Sequence, residues 1–142
     1  MHIVCSHCSA TNRVPEERLQ HDPVCGRCGR ELLSGGTVTL TDANFEAVTQ
    51  RTELPIVVDF WAAWCGPCRA MAPQFELAAQ QLKGRALLAK VDSDANPRTA
   101  TRFGIRTIPT LVVLDRGREV QRVAGAMQAS QIVGWVSPPQ RR

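Results

Sequence analysis

The chain is predicted to be α/β, with a mixed central sheet flanked by helices and a small separate segment in front of it. Three observations carry this. Between residues 37 and 136, short apolar runs rich in β-branched residues alternate with stretches whose apolar residues recur at helical spacing. The last two runs are joined by Arg116-Gly117, too short for a crossover helix, so they must pair as an antiparallel hairpin. All six cysteines fall in three Cys-x-x-Cys pairs, two of them before residue 29 in a stretch poor in apolar residues.

The first two pairs are Cys5/Cys8 and Cys25/Cys28, separated by the sixteen residues from Ser9 to Val24. At that spacing two tight turns each present two sulfurs to one tetrahedral ion. Residues 1–31 therefore read as a zinc ribbon holding one structural Zn2+ on these four thiolates. Four sulfurs complete the tetrahedron and leave no position for a substrate. His7, between Cys5 and Cys8, is then a solvated turn residue, and neither His2 nor His21 has a partner visible in the sequence. Gly26 and Gly29 permit the tight backbone that lets the sulfurs converge. Ile3, Val4, Val14, Leu19 and Val24 are too few for an independent core, so metal binding is expected to supply most of this segment's folding free energy.

Residues 32–36 read as a linker, with Ser34-Gly35-Gly36 its flexible part. The second domain spans 37–136. Val38 to Leu40 is its first strand, and Thr41 or Asp42 caps a short helix that turns Phe45 and Val48 inward. Pro55 precedes Ile56–Trp61, a short, almost wholly apolar run that reads as a buried strand. Arg69 to about Lys83 is a helix, because Met71, Phe75, Ala78 and Leu82 recur on one face; Pro73 is expected to kink it. Ala86–Asp92 is the next strand. Asn96, Pro97 and Gly104 frame a short helix as its cap, first residue and terminator. Thr110–Asp115 and Glu119–Ala124 form the hairpin, and Ser130 caps a last helix bearing Ile132, Val133 and Val136. Residues 137–142 are expected to be a disordered tail.

The third pair, Cys65 and Cys68 in Trp64-Cys65-Gly66-Pro67-Cys68, lies where the strand Ile56–Trp61 gives way to a helix. Unpaired N–H groups and the helix dipole favour a thiolate there, and Pro67 suits a first helical turn. Asp59 is the one carboxylate in its apolar strand, and burial raises a carboxyl pKa toward neutrality.

With the strand before it and the helix after it, this motif resembles the active site of the thioredoxins. With the four-cysteine ribbon, the chain resembles their zinc-containing thioredoxin 2 type. The resemblance covers residues 37–136 and implies the thioredoxin fold and a protein-disulfide reductase. It implies that Cys65, nearer the helix start and more exposed, is the nucleophile, and that Cys68 resolves the mixed disulfide. It assigns Asp59 to proton transfer with Lys90 beside it. Thr107-Ile108-Pro109-Thr110 matches the family's cis-proline motif, so Pro109 is expected to be cis, with the Ile108 backbone pairing to an extended substrate. Trp64, Gly66, Pro67, Ile108, Gly125 and Ala126 correspond to the apolar substrate face, whereas Trp61 reads as core. The partners implied are disulfide-containing proteins and an NADPH-dependent thioredoxin reductase. No nucleotide loop such as GxGxxG occurs, so the chain is not expected to bind NADPH itself.

Charge narrows the rest. The formal net charge is +4, with 17 Lys+Arg against 13 Asp+Glu, but the arginines are scattered and aromatics are 5%. No basic–aromatic stripe forms, and nucleic acid is not expected as a partner. No apolar run is long enough to span a membrane, and Met1-His2-Ile3-Val4-Cys5 does not read as an export signal. The expectation is a cytoplasmic monomer.

Overall fold

The computed structural model describes residues 1–136; the expected tail, 137–142, lies outside them. The elements run β1 (His2–Val4), β2 (Thr11–Arg13), a 3-10 turn at Glu16–Arg18, β3 (Val38–Thr39), α1 (Phe45–Arg51), β4 (Ile56–Trp61), α2 (Gly66–Gln81), β5 (Leu87–Asp92), α3 (Pro97–Arg102), β6 (Thr110–Asp115), β7 (Arg118–Ala124) and α4 (Ala129–Val136). β1 and β2 pair with each other, and the other five strands form a sheet in the order β3-β5-β4-β6-β7. β5 runs parallel to both β3 and β4, whereas β6 is antiparallel to β4 and β7.

β4 is the central strand, which explains a run of apolar residues without polar alternation: both its faces are covered. Ile56, Val58 and Phe60 pack on Phe45 and Val48 of α1. Val57 turns the other way, toward Met71, Phe75, Ala78 and Leu82 of the α2 segment and Ile132 and Val136 of α4. Period two in the strand thus meets the four-three-four spacing of the helix. α2 starts at Gly66, three residues earlier than its apolar spacing suggests, and continues through Pro73. In the β6–β7 turn Arg116 and Gly117 both have positive φ, 52° and 87°, the combination whose twist matches a two-residue hairpin.

Two caps differ from expectation. Asn44, not Thr41 or Asp42, is the residue before α1. Asp42 instead serves α3, where its carboxylate accepts the Arg98 and Thr99 N–H groups and the Thr99 hydroxyl. Asn96 returns the contact by accepting the Asp42 N–H at 2.9 Å. Ser130 lies inside α4; Gln128 precedes that helix, its N–H donating to Gln131 Oε1. Asp42, read as a cap for α1, is engaged by another helix, and short polar side chains serve either role.

The largest departure concerns the ribbon. It does not hang from a linker. Ile3, Val4, Val14 and Leu19 belong to the same buried cluster as Phe45, Val48, Ile56 and Phe60, and the linker residues Leu32 and Leu33 are themselves 6% and 3% exposed within it. Val4 N–H donates to the buried Thr52 hydroxyl at 3.0 Å, and Glu53 N–H donates to His2 O at 2.9 Å. Glu53 also accepts the His2 N–H and faces its imidazole, supplying the partner the sequence did not show. On the far side Gln20 donates to Lys83 O, and the Lys83 ammonium pairs with Asp22. A hairpin with too few apolar residues for its own core buries them against its neighbour.

Candidate active site and metal centre

α2 is aimed by β4, and the Trp61–Cys65 segment makes the turn between them. Cys65 is the N-cap of α2, with extended backbone, and its sulfur accepts the Cys68 N–H at 3.2 Å. Cys65 and Cys68 form a disulfide. The expected difference in exposure between Cys65 and Cys68 is slight: the two residues are 3% and 2% exposed. What distinguishes them is polar surroundings. Cys65 Sγ takes a helix-start amide, the group that stabilises a thiolate, and stands 3.8 Å from Ile108 O. Ala62, Trp61 and Ile108 complete an apolar cluster around the pair.

The Ile108–Pro109 bond is cis. Pro109 O accepts the Gly125 N–H at 2.9 Å, which ties residues 107–110 to the loop carrying Gly125 and Ala126. Gly125 has φ of 103°, a conformation that disfavours a side chain. Around this floor Trp64 stands 69% exposed, with Gly66, Pro67 and Ala126 also exposed and Ile108 half-buried. Trp61 is half-buried, less enclosed than a core assignment implies.

Asp59 is fully buried, and neither carboxylate oxygen has a hydrogen-bond partner. Burial pushes its pKa up to about 7, against the downward pull of the Lys90 ammonium. Lys90 is its register partner on β5. The ammonium does not bond the carboxylate; it lies 4.7 Å from the centre of the Trp61 ring, as a cation on an aromatic face. The structure therefore gathers Cys65, Cys68, Trp61 and Ile108, and sets Asp59 and Lys90 side by side as a coulombic pair. One residue had no sequence signal: Asp94, an exposed acid whose Oδ2 accepts the Trp64 indole N–H at 2.8 Å. A surface aspartate in a polar loop carries no pattern that marks it.

The other four cysteines meet in one place. Their sulfurs all lie within 4.8 Å of one another, with Cys5–Cys28 and Cys8–Cys25 at 3.6 Å. Tetrahedral thiolates at about 2.3 Å from zinc sit about 3.8 Å apart, so the donor set fits that ion without rearrangement of the chain. The two turns repeat each other. Cys5 and Cys25 each accept an N–H four residues on, from Ser9 and Gly29, and each donates to the carbonyl five residues on, of Ala10 and Arg30. The His7 and Arg27 amides point at the Cys5 and Cys25 sulfurs at 3.4 Å. The Cys28 amide, then Asn12, hold the Cys25 thiol low, to about 6. The Ala10 amide pulls Cys8 down, but burial and the neighbouring Cys25, Cys28 and Cys5 sulfurs outweigh it and leave that thiol at about 11. His7 is exposed, with its ring 3.0 Å from Arg30, and is not among the clustered donors.

Comparison with known proteins agrees with this division of labour. Residues 36–138 match the family model described as Thioredoxin, and residues 4–30 match the model described as Thioredoxin 2, N-terminal. Thioredoxin C-3 of Corynebacterium nephridii is 43% identical over 136 residues, 96% of this chain and 93% of that one. Thioredoxins of Alicyclobacillus acidocaldarius and Synechocystis sp. are 47% and 45% identical over 96 and 91 residues; these cover 68% and 64% of this chain, and 90% and 85% of theirs. Among the described residues, no helix is long and apolar enough to cross a membrane.

Proposed function

The chain belongs to the thioredoxin family and so is a thiol–disulfide oxidoreductase; from that premise we propose that it is a cytoplasmic, monomeric protein-disulfide reductase, re-reduced by an NADPH-dependent thioredoxin reductase. One observation carries the mechanism: a disulfide at a helix start whose first sulfur accepts a backbone amide, following a strand that carries a buried, unpartnered carboxyl group.

In the reduced form the Cys68 amide and the α2 dipole stabilise a Cys65 thiolate. That thiolate attacks one sulfur of a substrate disulfide, forming a mixed disulfide and releasing the other sulfur as a thiolate, which takes up a proton. Cys68 gives its proton to ionised Asp59, whose pKa of about 7 suits the transfer, and attacks Cys65; the bond from Cys65 to substrate breaks, and the departing substrate thiolate takes up the proton that Asp59 releases. Substrate leaves with two electrons and two protons, and Cys65–Cys68 is left oxidised. The exposed surface of Trp64, Gly66, Pro67, Ile108, Gly125 and Ala126 receives the substrate segment, with Ile108 backbone available for strand-like pairing beside Pro109.

Cys5, Cys8, Cys25 and Cys28 would hold one structural zinc. When bound, the ion cross-links the two turns of the ribbon and leaves no open coordination position. The four are unbridged cysteines, which suits a reducing compartment and supports the cytoplasmic reading. The large exposed apolar side chains among the described residues sit apart in the chain: Val24 in the ribbon, Trp64 in the turn before α2, Leu77 on α2 and Val120 on β7. That scatter supports a monomer.

The test is the reduction potential of Cys65–Cys68 in the full-length, metal-loaded chain, read by differential alkylation of those two residues against dithiothreitol buffers. Thioredoxins as a class poise near about −270 mV and disulfide isomerases near about −180 mV, reference values not obtained from this chain. A potential near the first supports a reductase. One near the second means that the protein delivers or shuffles disulfides.

A further inference from the structure

Trp64 is 69% exposed, so packing alone does not fix its ring. The Asp94 carboxylate does, through the indole N–H. Asp94 is held in turn, because its N–H donates to Asp92 Oδ1 at 3.0 Å. Asn96 closes the same loop by donating its side-chain N–H to Asp92 O, and it is locked by the Asp42 N–H on its own Oδ1. Asp42 follows Thr41, whose N–H donates to Asn44 Oδ1 at 2.7 Å. The Asn44 side-chain amide then donates to Ser6 O at 3.1 Å, inside the Cys5–Cys8 turn of the ribbon.

From these links we infer that Asp94 is a positioning residue for Trp64, and that a chain of hydrogen bonds and short covalent steps through Asp92, Asn96, Asp42, Thr41 and Asn44 makes the ribbon's first cysteine turn part of what sets the substrate face. Buried or backbone partners anchor most of the links: Asn96 is 7% exposed, and Asp42 is clamped by α3. The ribbon thus reaches the dithiol's rim without touching either sulfur of the dithiol. This inference rests on the proposed reading that Trp64 contacts substrate.

Asn44→Asp is the discriminating variant in the full-length, metal-loaded chain. It keeps the Oδ acceptor for Thr41 and the acidic preference of a helix start, and it replaces the donor to Ser6 with a carboxylate oxygen that repels the Ser6 carbonyl. Trp64 emission, taken as a difference spectrum against Trp64→Phe, should shift in Asn44→Asp and in Asp94→Ala in the same direction. Asp94→Asn, which still offers an oxygen to the indole, should restore it. With insulin as the disulfide substrate, KM should rise by about fivefold in Asp94→Ala and about twofold in Asn44→Asp, with kcat changing less, as expected for lost orientation and not lost chemistry. Unchanged Trp64 emission in Asn44→Asp, with an unchanged unfolding midpoint, overturns the link to the ribbon. Unchanged emission in Asp94→Ala overturns the positioning role. Should Trp64→Ala leave KM unaltered, it is the substrate-face reading that fails, and the emission result alone decides the link.

Discussion

Three Cys-x-x-Cys turns in one chain have the same spacing and opposite fates. In each, the carbonyl of the first cysteine accepts an amide four residues on, from Ser9, Gly29 or Arg69, and the first sulfur accepts an amide from within the turn. The difference begins at the residue after the second cysteine. Ser9 and Gly29 take positive φ, 65° and 80°, which reverses the chain into a hairpin and lets the four sulfurs of two turns face one another. Arg69 stays helical and carries the chain into α2, so its two sulfurs have no second pair opposite them and close on each other. Metal centre and redox centre are separated by one backbone conformation and by what the turn leads into.

The largest effect should come from crossing the two sites. Cys65→Ser should lower disulfide reduction by roughly a thousandfold or more, since the nucleophile itself is lost, while leaving the fold and metal content intact. Cys25→Ser should do the reverse: metal stoichiometry falls, measured by a chromogenic chelator, with Cys65 chemistry retained in whatever fraction is folded. Equal loss of activity in both variants at matched folded fraction would abolish the separation.

Metal removal ranks next. Four-thiolate sites couple about 10 kcal/mol or more of ion affinity to folding, and here the ribbon shares its core with the sheet. Chelation should therefore lower the melting temperature of the whole chain by roughly 10 °C or more, in one transition by calorimetry. Two separated transitions would mean that the shared core does not couple them.

The third prediction concerns Asp59, the charged residue on the dithiol side that has no counterpart in the ribbon. Its folded pKa, about 7, lies above the ordinary 3.8, so between those values the folded state binds more protons than the unfolded. Stability then falls as pH rises from about 4 to about 7 and is flat above. The ceiling is about 4 kcal/mol for a shift of this size. In Asp59→Asn that slope should vanish; denaturant midpoints at pH 5 and pH 8 decide it. The smallest effect tests the turn itself. Gly29→Val should cost about 1–2 kcal/mol by forcing a β-branched residue into the left-handed region, whereas Gly29→Asn should cost less than about 1 kcal/mol. Chemical denaturation of the metal-loaded chain measures both.

Most of the sheet was legible because its signals are local. The apolar run of β4, the periodic face of α2 and the Arg116-Gly117 turn each depend on neighbours in sequence. The cysteine clusters were legible because spacing alone constrains them, and cis-Pro109 because it lies in a motif. What was not legible is what long-range contacts decide. Nothing local marks Leu32 and Leu33 as core, because most of the cluster that they join lies more than ten positions away in the chain. Asp42 read as a cap for α1, but α3 was a better-placed customer. Cys65 and Cys68 differ little in exposure because they share one disulfide and one apolar cluster.

The shared core also has a consequence for synthesis. The ribbon precedes every strand of the large sheet in the chain, and so leaves the ribosome before Thr52, Glu53 and Lys83, the groups that receive it, have emerged. Domains generally fold as they emerge, N-terminal parts first. For that interval Ile3, Val4, Val14 and Leu19 have no sheet to lie on, and an ion on the four cysteines would add to the few backbone hydrogen bonds that the hairpin makes by itself. A cell short of zinc would meet that deficit at the nascent chain, before any finished reductase existed to lose it.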